Sequence, residues 1–131
     1  MGVDGSDNSL RAARKAAEVA SIHGAQITLL NVIQPAESAY YTGMPTTELA
    51  ERAKGEDKLY RAKVACEEAG LSPELRVMLG NPAETILDLS EKGYDLVVVG
   101  TRGIGALARF IMGSVSMRVV QFSKTPVLVV P

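Results

Sequence analysis

GTRGIGALARFIMGS, residues 100–114, begins where the unbroken apolar run LVVV, residues 96–99, ends. A short continuous β-branched run of this kind reads as a buried strand, covered on both faces. The stretch that follows has four glycines, two arginines and no acid. Glycine lets backbone N–H groups turn toward an anion with no Cβ in the way, and a helix opening at Gly113-Ser114, with Ser114 as its capping hydroxyl, would add partial positive charge. The stretch therefore predicts a strand, a bare loop at its carboxyl end and a helix. Arg102, Arg109 and Arg118 are candidates to add charge nearby.

Working outward from this unit, the rest of the chain alternates in the same way. MGVDGS is the end of a short first strand and a turn, after which Ser6 or Asp7 caps a helix carrying Leu10, Ala13, Ala17 and Ala20 at helical spacing. His23-Gly24 ends it, a cation followed by a left-handed C′ glycine. AQITLLNVI, residues 25–33, is a second buried strand. Residues 34–46 hold two prolines, a glycine and two tyrosines without period, and are expected to form an exposed loop, of a length that often covers a site. A helix is expected from about Thr47 to Ala69, with Gly55 a weak point inside it. ELRVML is the third strand. Asn81-Pro82-Ala83-Glu84 combines an N-cap, a proline at N1 and an acid at N3, and opens a helix toward Gly93. YDLVVVG is the fourth strand, SVSMRVVQF a helix and TPVLVV the fifth strand.

This order predicts an α/β fold, a Rossmann-like open five-stranded parallel sheet with helices on both faces, in a single domain over residues 1–131. At 131 residues, 47 % of them hydrophobic and only 5 % aromatic, the chain can bury a core of Val, Leu, Ile and Ala without disulfides or a structural metal. A net charge of −1 and a pI near 5.8 argue against general attraction to nucleic acid or an anionic membrane. The charge is uneven: residues 1–95 carry all 15 acids and 10 of the 14 basic residues, net −5, and the remaining four basic residues give residues 96–131 a net +4. Cys66, the only cysteine, falls in a helical pattern with Leu59, Ala62 and Ala69 and reads as a core residue. No membrane span or secretory signal is apparent, so a cytoplasmic location is expected. Met1-Gly2-Val3-Asp4-Gly5-Ser6 fits the N-myristoylation pattern, but Gly2 stands where the first strand should run.

Three phosphate-binding patterns compete at the glycine loop. GIGALA fits G-x-G-x-x-A, but that fingerprint belongs after the first strand of a unit with an acid about 20 residues on, and no acid follows here. Gly100 and Gly105 have Walker A spacing, but Ala106 and Leu107 stand at the Lys and Ser/Thr places. What remains is Gly100, two residues, Gly103, nine residues, Gly113 and Ser114.

That pattern resembles the nucleotide-binding signature of the universal stress protein family, and the resemblance runs the length of the chain. VDGSDNS is similar to the family's opening turn, LLNVI to its second strand and GNPAETIL to the start of its third helix. DLVVVGTRG and GSVSMRVV resemble its phosphate loop, and TPVLVV its final strand. The resemblance implies binding of ATP in a stress-response sensor or regulator; ATP, ADP and AMP stay open as the working ligand, and a metal, if present, would be Mg²⁺ or Mn²⁺ held through the phosphates. It places Val3 and Asp4 at the first turn with Asp4 facing the ribose hydroxyls, and the backbone around Val32 against adenine. Gly100 lies by the ribose, Thr101 and Arg102 follow in the loop, and Gly103, Gly113, Ser114, Val115 and Ser116 surround the phosphates. A homodimer through the C-terminal strand, residues 126–130, is expected both from the apolar character of an edge strand and from the resemblance.

The chain departs from the family's pattern in three places: few apolar residues precede Asp4, Asn31 stands where His is frequent, and Met117 where a polar residue is common. Two other functions stay open, a slow ATP hydrolase and a nucleotide-free interaction module. Hydrolysis needs a group to orient water, and no His, Glu or Lys at the phosphate end is an evident candidate. The glycines could also serve only turns and close helix packing, with Asp4 merely capping the first helix. A response regulator is excluded, because the third strand ends MLGN with no phosphoacceptor Asp.

Overall fold

A computed structural model describes residues 1–34, 46–101 and 112–131, with the backbone alone for residues 46–49. The elements alternate as the pattern of apolar residues predicts: α1 (Asp7–His23), β1 (Thr28–Ile33), α2 (Thr46–Glu67), β2 (Glu74–Leu79), α3 (Pro82–Ser90), β3 (Val97–Gly100), α4 (Ser114–Phe122) and β4 (Val127–Val130). The expected loop lies, but for Gln34 and Thr46, outside the described residues. Local chemistry sets the boundaries. Ser6 caps α1 by accepting from the Ser9 N–H at 3.1 Å, and Gly24 ends it in the left-handed region at φ 61°. Asn81 caps α3, its side chain accepting from Ala83 N–H and Glu84 N–H at 3.0 and 3.3 Å, with Pro82 at N1.

The expected five-stranded sheet does not form. Four short strands pair into two parallel two-stranded sheets, β1 with β2 from Thr28↔Glu74 to Ile33↔Leu79, and β3 with β4 from Val97↔Val127 to Gly100↔Val130. The first strand survives only as a bridge at Gly2↔Leu30. Residues 1–3 make no longer ladder than this, yet they lie between the two pairs. Gly2 N–H donates to Val98 O at 3.2 Å on one side; on the other, Val3 N–H donates to Leu30 O at 2.8 Å and Leu30 N–H to Met1 O at 2.9 Å. The order across the molecule is β2, β1, residues 1–3, β3, β4.

Side-chain alternation along these strands builds a core on each face. Leu29 and Val3 pack with Ala13 and Ala17 of α1 and with Leu59, Ala62 and Cys66 of α2. Val98 and Val130 meet Ala12 and Ala16, on the neighbouring stripe of α1. The alternate residues Leu30, Val97 and Val99 face the other way, against Ala83, Ile86 and Leu89 of α3 and Val119 of α4. Helices therefore cover both faces, as expected. Cys66 is fully buried, and that burial pushes its thiol up from the ordinary value, away from the reactive thiolate. Among the described residues no helix is long and apolar enough to cross a membrane.

Gly55, the weak point within α2, has a packing reason. A Cβ built there would stand 2.6 Å from Asn31 Oδ1 and 3.3 Å from Val77 Cγ1, so α2 crosses β1 and β2 at its one bare position. Two effects of a Gly55→Ala change oppose each other: helix propensity favours alanine by up to about 1 kcal/mol, and overpacking costs about 1–3 kcal/mol. Asn31 is only 3 % exposed and its amide is engaged, so it has little room to give. Gly55→Ala should therefore lower the urea midpoint; a midpoint raised by the substitution would show that the contact relaxes freely.

Candidate functional site

Parallel strands send their carboxyl ends to one edge, and an open sheet binds ligands there, where strand order reverses. In this chain the reversal lies between residues 1–3 and β3: from the first segment the chain moves out through β1 to β2, then returns across it to β3 and β4. Asp4 stands at the carboxyl end on one side of that point, and Gly100 and Thr101 on the other.

On the first side, Asp4 Oδ1 accepts from Ser6 N–H at 2.9 Å and from Ser6 Oγ at 2.6 Å, and Ser6 in turn caps α1. Asp4 is half-buried and orders the turn that carries it, so it supports the helix cap through Ser6 rather than capping α1 itself. Val3 is a core residue, 4 % exposed, with its carbonyl accepting from Asn31 Nδ2 at 2.7 Å. Val32, half-buried, stands in register with Met78 near the end of β1. Asn31 thus ties the first segment to β1, a role that nothing in sequence spacing indicated beyond the oddity of an amide inside an apolar strand.

On the second side the loop ends are clasped together. Thr101 N–H donates to Val130 O at 2.8 Å, and Thr101 O accepts from Gly113 N–H at 2.7 Å. Ser116, 7 % exposed, donates its hydroxyl to Gly100 O at 2.5 Å, fixing the first turn of α4 to the end of β3. Its side chain is therefore committed to the fold. Val115 packs against the core of that face, leaving its backbone as the part able to meet a ligand. Arg102 and Gly103 lie outside the described residues, as does Arg109.

Ser114 is not the cap that the sequence suggests: Gly113 holds that place, and with no side chain it makes no capping bond, while Ser114 is the exposed first residue of the helix. The first turn contains no acid, whereas α1 has Asp7 and α3 has Glu84 there. The amides that open α4 are donors without a side-chain acceptor from Gly113, at the positive end of the helix dipole. Such an end suits an anion.

The two glycines that frame the loop are bare for different reasons. A Cβ on Gly100 would stand 3.1 Å from the backbone C and O of Asn8, so its bareness admits the first turn of α1. Gly113 has φ −61° and ψ 147°, a conformation open to any residue, so backbone geometry does not demand glycine there. Close packing thus accounts for Gly100, while backbone conformation does not account for Gly113. No group of three or more metal-binding side chains occurs among the described residues.

Comparison with known proteins follows the same lines. The universal stress protein family model matches residues 1–131. A universal stress protein of Mycolicibacterium smegmatis is 37 % identical over 137 residues, covering 99 % of this chain and 46 % of that protein, so the chain spans just under half of that relative. One from Thermus aquaticus is 38 % identical over 137 residues, covering 99 % of this chain and 95 % of its own length. A solved universal stress protein in complex with cAMP is 30 % identical, with a TM-score of 0.79 over 100 % of this chain and 94 % of its own.

The two serines of the α4 first turn should separate on mutation. Ser116→Ala removes a buried donor from the Gly100 carbonyl and should cost about 1–3 kcal/mol in urea denaturation. Ser114→Ala, at an exposed position without a capping role, should stay within about 0.5 kcal/mol of wild type. Equal losses would overturn the division of roles between them.

Proposed function

The chain belongs to the universal stress protein family, and from that membership we propose that it binds an adenine nucleotide at the carboxyl edge of its strands and acts as a nucleotide-responsive stress regulator, with ATP as the working ligand. The observation that carries the reading is the α4 N-terminus: amides without a cap, an exposed Ser114 hydroxyl, no acid in the first turn, and a glycine at 113 that the backbone does not require. Backbone donors at the positive end of a helix are what an oligophosphate needs. Across the strand-order reversal, the Asp4 carboxylate is of the type that receives ribose hydroxyls, and the backbone near Val32 offers the edge for a purine. The cAMP held by the solved relative supports an adenine nucleotide as the ligand class. When ATP is bound, Mg²⁺ or Mn²⁺ would ride on its phosphates with water completing the shell.

Ligand linkage provides the test. At about a hundred-fold excess of ATP over its dissociation constant the protein should gain roughly 2.7 kcal/mol, a melting shift on the order of 3–5 °C. Gly113→Val places a branched side chain in the path of the phosphates without straining the backbone and should abolish the shift. Ser114→Ala should reduce it while the unliganded protein melts as wild type does. A wild-type protein whose melting is indifferent to ATP, ADP and AMP, with and without Mg²⁺, would remove the reading.

We also propose that β4 pairs with its counterpart in a second copy. Among the described residues β4 pairs with β3 alone, and Val127, Leu128 and Val129 remain half-buried at that edge. An apolar strand edge of this kind invites a partner unless covered, and a two-fold mate would close it. Light scattering at micromolar concentration should give twice the chain mass for wild type. Val129→Lys, checked for retained helix by circular dichroism, should give the chain mass; a monomeric wild type would refute the pairing.

A further inference from the structure

Lys58 lies where α2 passes over the first turn of the chain. A Cβ built on Gly5 would stand 3.5 Å from Lys58 Cβ, 2.8 Å from Cγ and 3.3 Å from Cδ, so three successive carbons of the lysine stem lie across the glycine. Gly5 has φ +86°, in the region that disfavours other residues, so glycine is required there twice over. It sits between Asp4 and Ser6, on the edge that carries the candidate site. The α2 helix follows β1 and precedes β2, so in a parallel arrangement it starts near the carboxyl edge and descends from it. Side chains on a helix lean toward its N-terminus, which carries the lysine head toward that edge. The charge is felt in that direction: Lys54 holds the Glu51 carboxyl below its usual range by hydrogen bond and charge, and Lys58, two turns below Glu51, adds a smaller pull.

Lys58 also differs from the other lysines. Lys15, Lys54, Lys63 and Lys124 each pair with a glutamate, and Lys92, which makes no ion pair among the described residues, is exposed. Lys58 is half-buried, and among the described residues no carboxylate stands within ion-pair distance of it. A seated, partly desolvated cation at the carboxyl edge of the strands is completed by an anion.

We propose that Lys58 is a ligand-binding residue of this site, placing a cation beside Asp4 for the phosphate ester of a bound nucleotide. The inference rests on the nucleotide reading above and adds a contact from a helix outside the glycine loop. It also makes the site discriminate nucleotides from the uncharged nucleoside.

Calorimetric titration of wild type, Lys58→Met and Lys58→Arg with ATP, 3′,5′-cyclic AMP and adenosine tests it. Methionine keeps an unbranched stem over Gly5 and removes the charge. It should weaken at least one of the two nucleotides about tenfold while leaving adenosine unchanged, and arginine should restore most of the loss. The nucleotide more strongly affected identifies the position of the ester that meets the lysine. Lys58→Gln serves as a second neutral variant should the methionine protein melt early. Unchanged affinity for both nucleotides in the neutral variants, or an equal loss for adenosine, would overturn the assignment. A wild type that binds none of the three overturns the nucleotide reading itself, and the assignment with it.

Discussion

Two hydrogen-bonded pairs of strands become one scaffold because three residues fit between them. The N–H of Gly2 reaches Val98 and that of Val3 reaches Leu30, so the segment hands the main-chain network from β1 to β3 across a position that no full strand occupies. Asn31 reinforces the same seam from the side, its amide donating to the Val3 carbonyl in a setting too buried for water to substitute. Everything the site requires depends on this seam, because Asp4 and Gly100 stand at its carboxyl end on opposite sides. A shift of register there would separate the turn that carries Asp4 from the loop that starts at Gly100.

The seam also explains the economy of side chains around it. The α1 helix buries mainly alanines, and alanine allows a helix axis to approach a sheet closely. That approach brings Asn8 against Gly100 and makes a side chain at Gly100 impossible without displacement. The α2 helix achieves the same closeness by a different device, a single glycine opposite Asn31. Bare positions thus serve as contact points for helices at Gly55 and Gly100, whereas at Gly113 the backbone conformation does not call for glycine.

Much of this was legible in the sequence. Apolar runs bounded by turn residues marked each strand; Ser6, Gly24 and Asn81 marked helix ends, because capping is local chemistry that neighbours in sequence perform. The sheet was less legible. Counting strands requires knowing how many main-chain bonds a segment makes, and residues 1–3 make too few, although they occupy the expected place. The site divided along the same line. Spacing placed a helix start at Gly113 and Ser114, where α4 does begin, but the cap position is Gly113, which has no hydroxyl, and not Ser114, one residue on. The tasks of Ser116, Asn31, Gly55 and Lys58 depend on partners 16 to 53 positions away, or on a helix crossing, and no local pattern announces them.

The clasp between Thr101 and Gly113 has a bearing on how this chain can vary. Its single hydrogen bond, with the Ser116 tie beside it, brings together the ends of the eleven residues from 102 to 112. The entropy of closing that segment is therefore met by the scaffold and grows only slowly with length, by about 0.6 kcal/mol for each doubling. Changes of length between these two anchors leave the strand register on either side of them unaltered. The chain can lengthen or shorten between Thr101 and Gly113 at little cost to its folding, which makes this interval a natural place for related chains to differ in length.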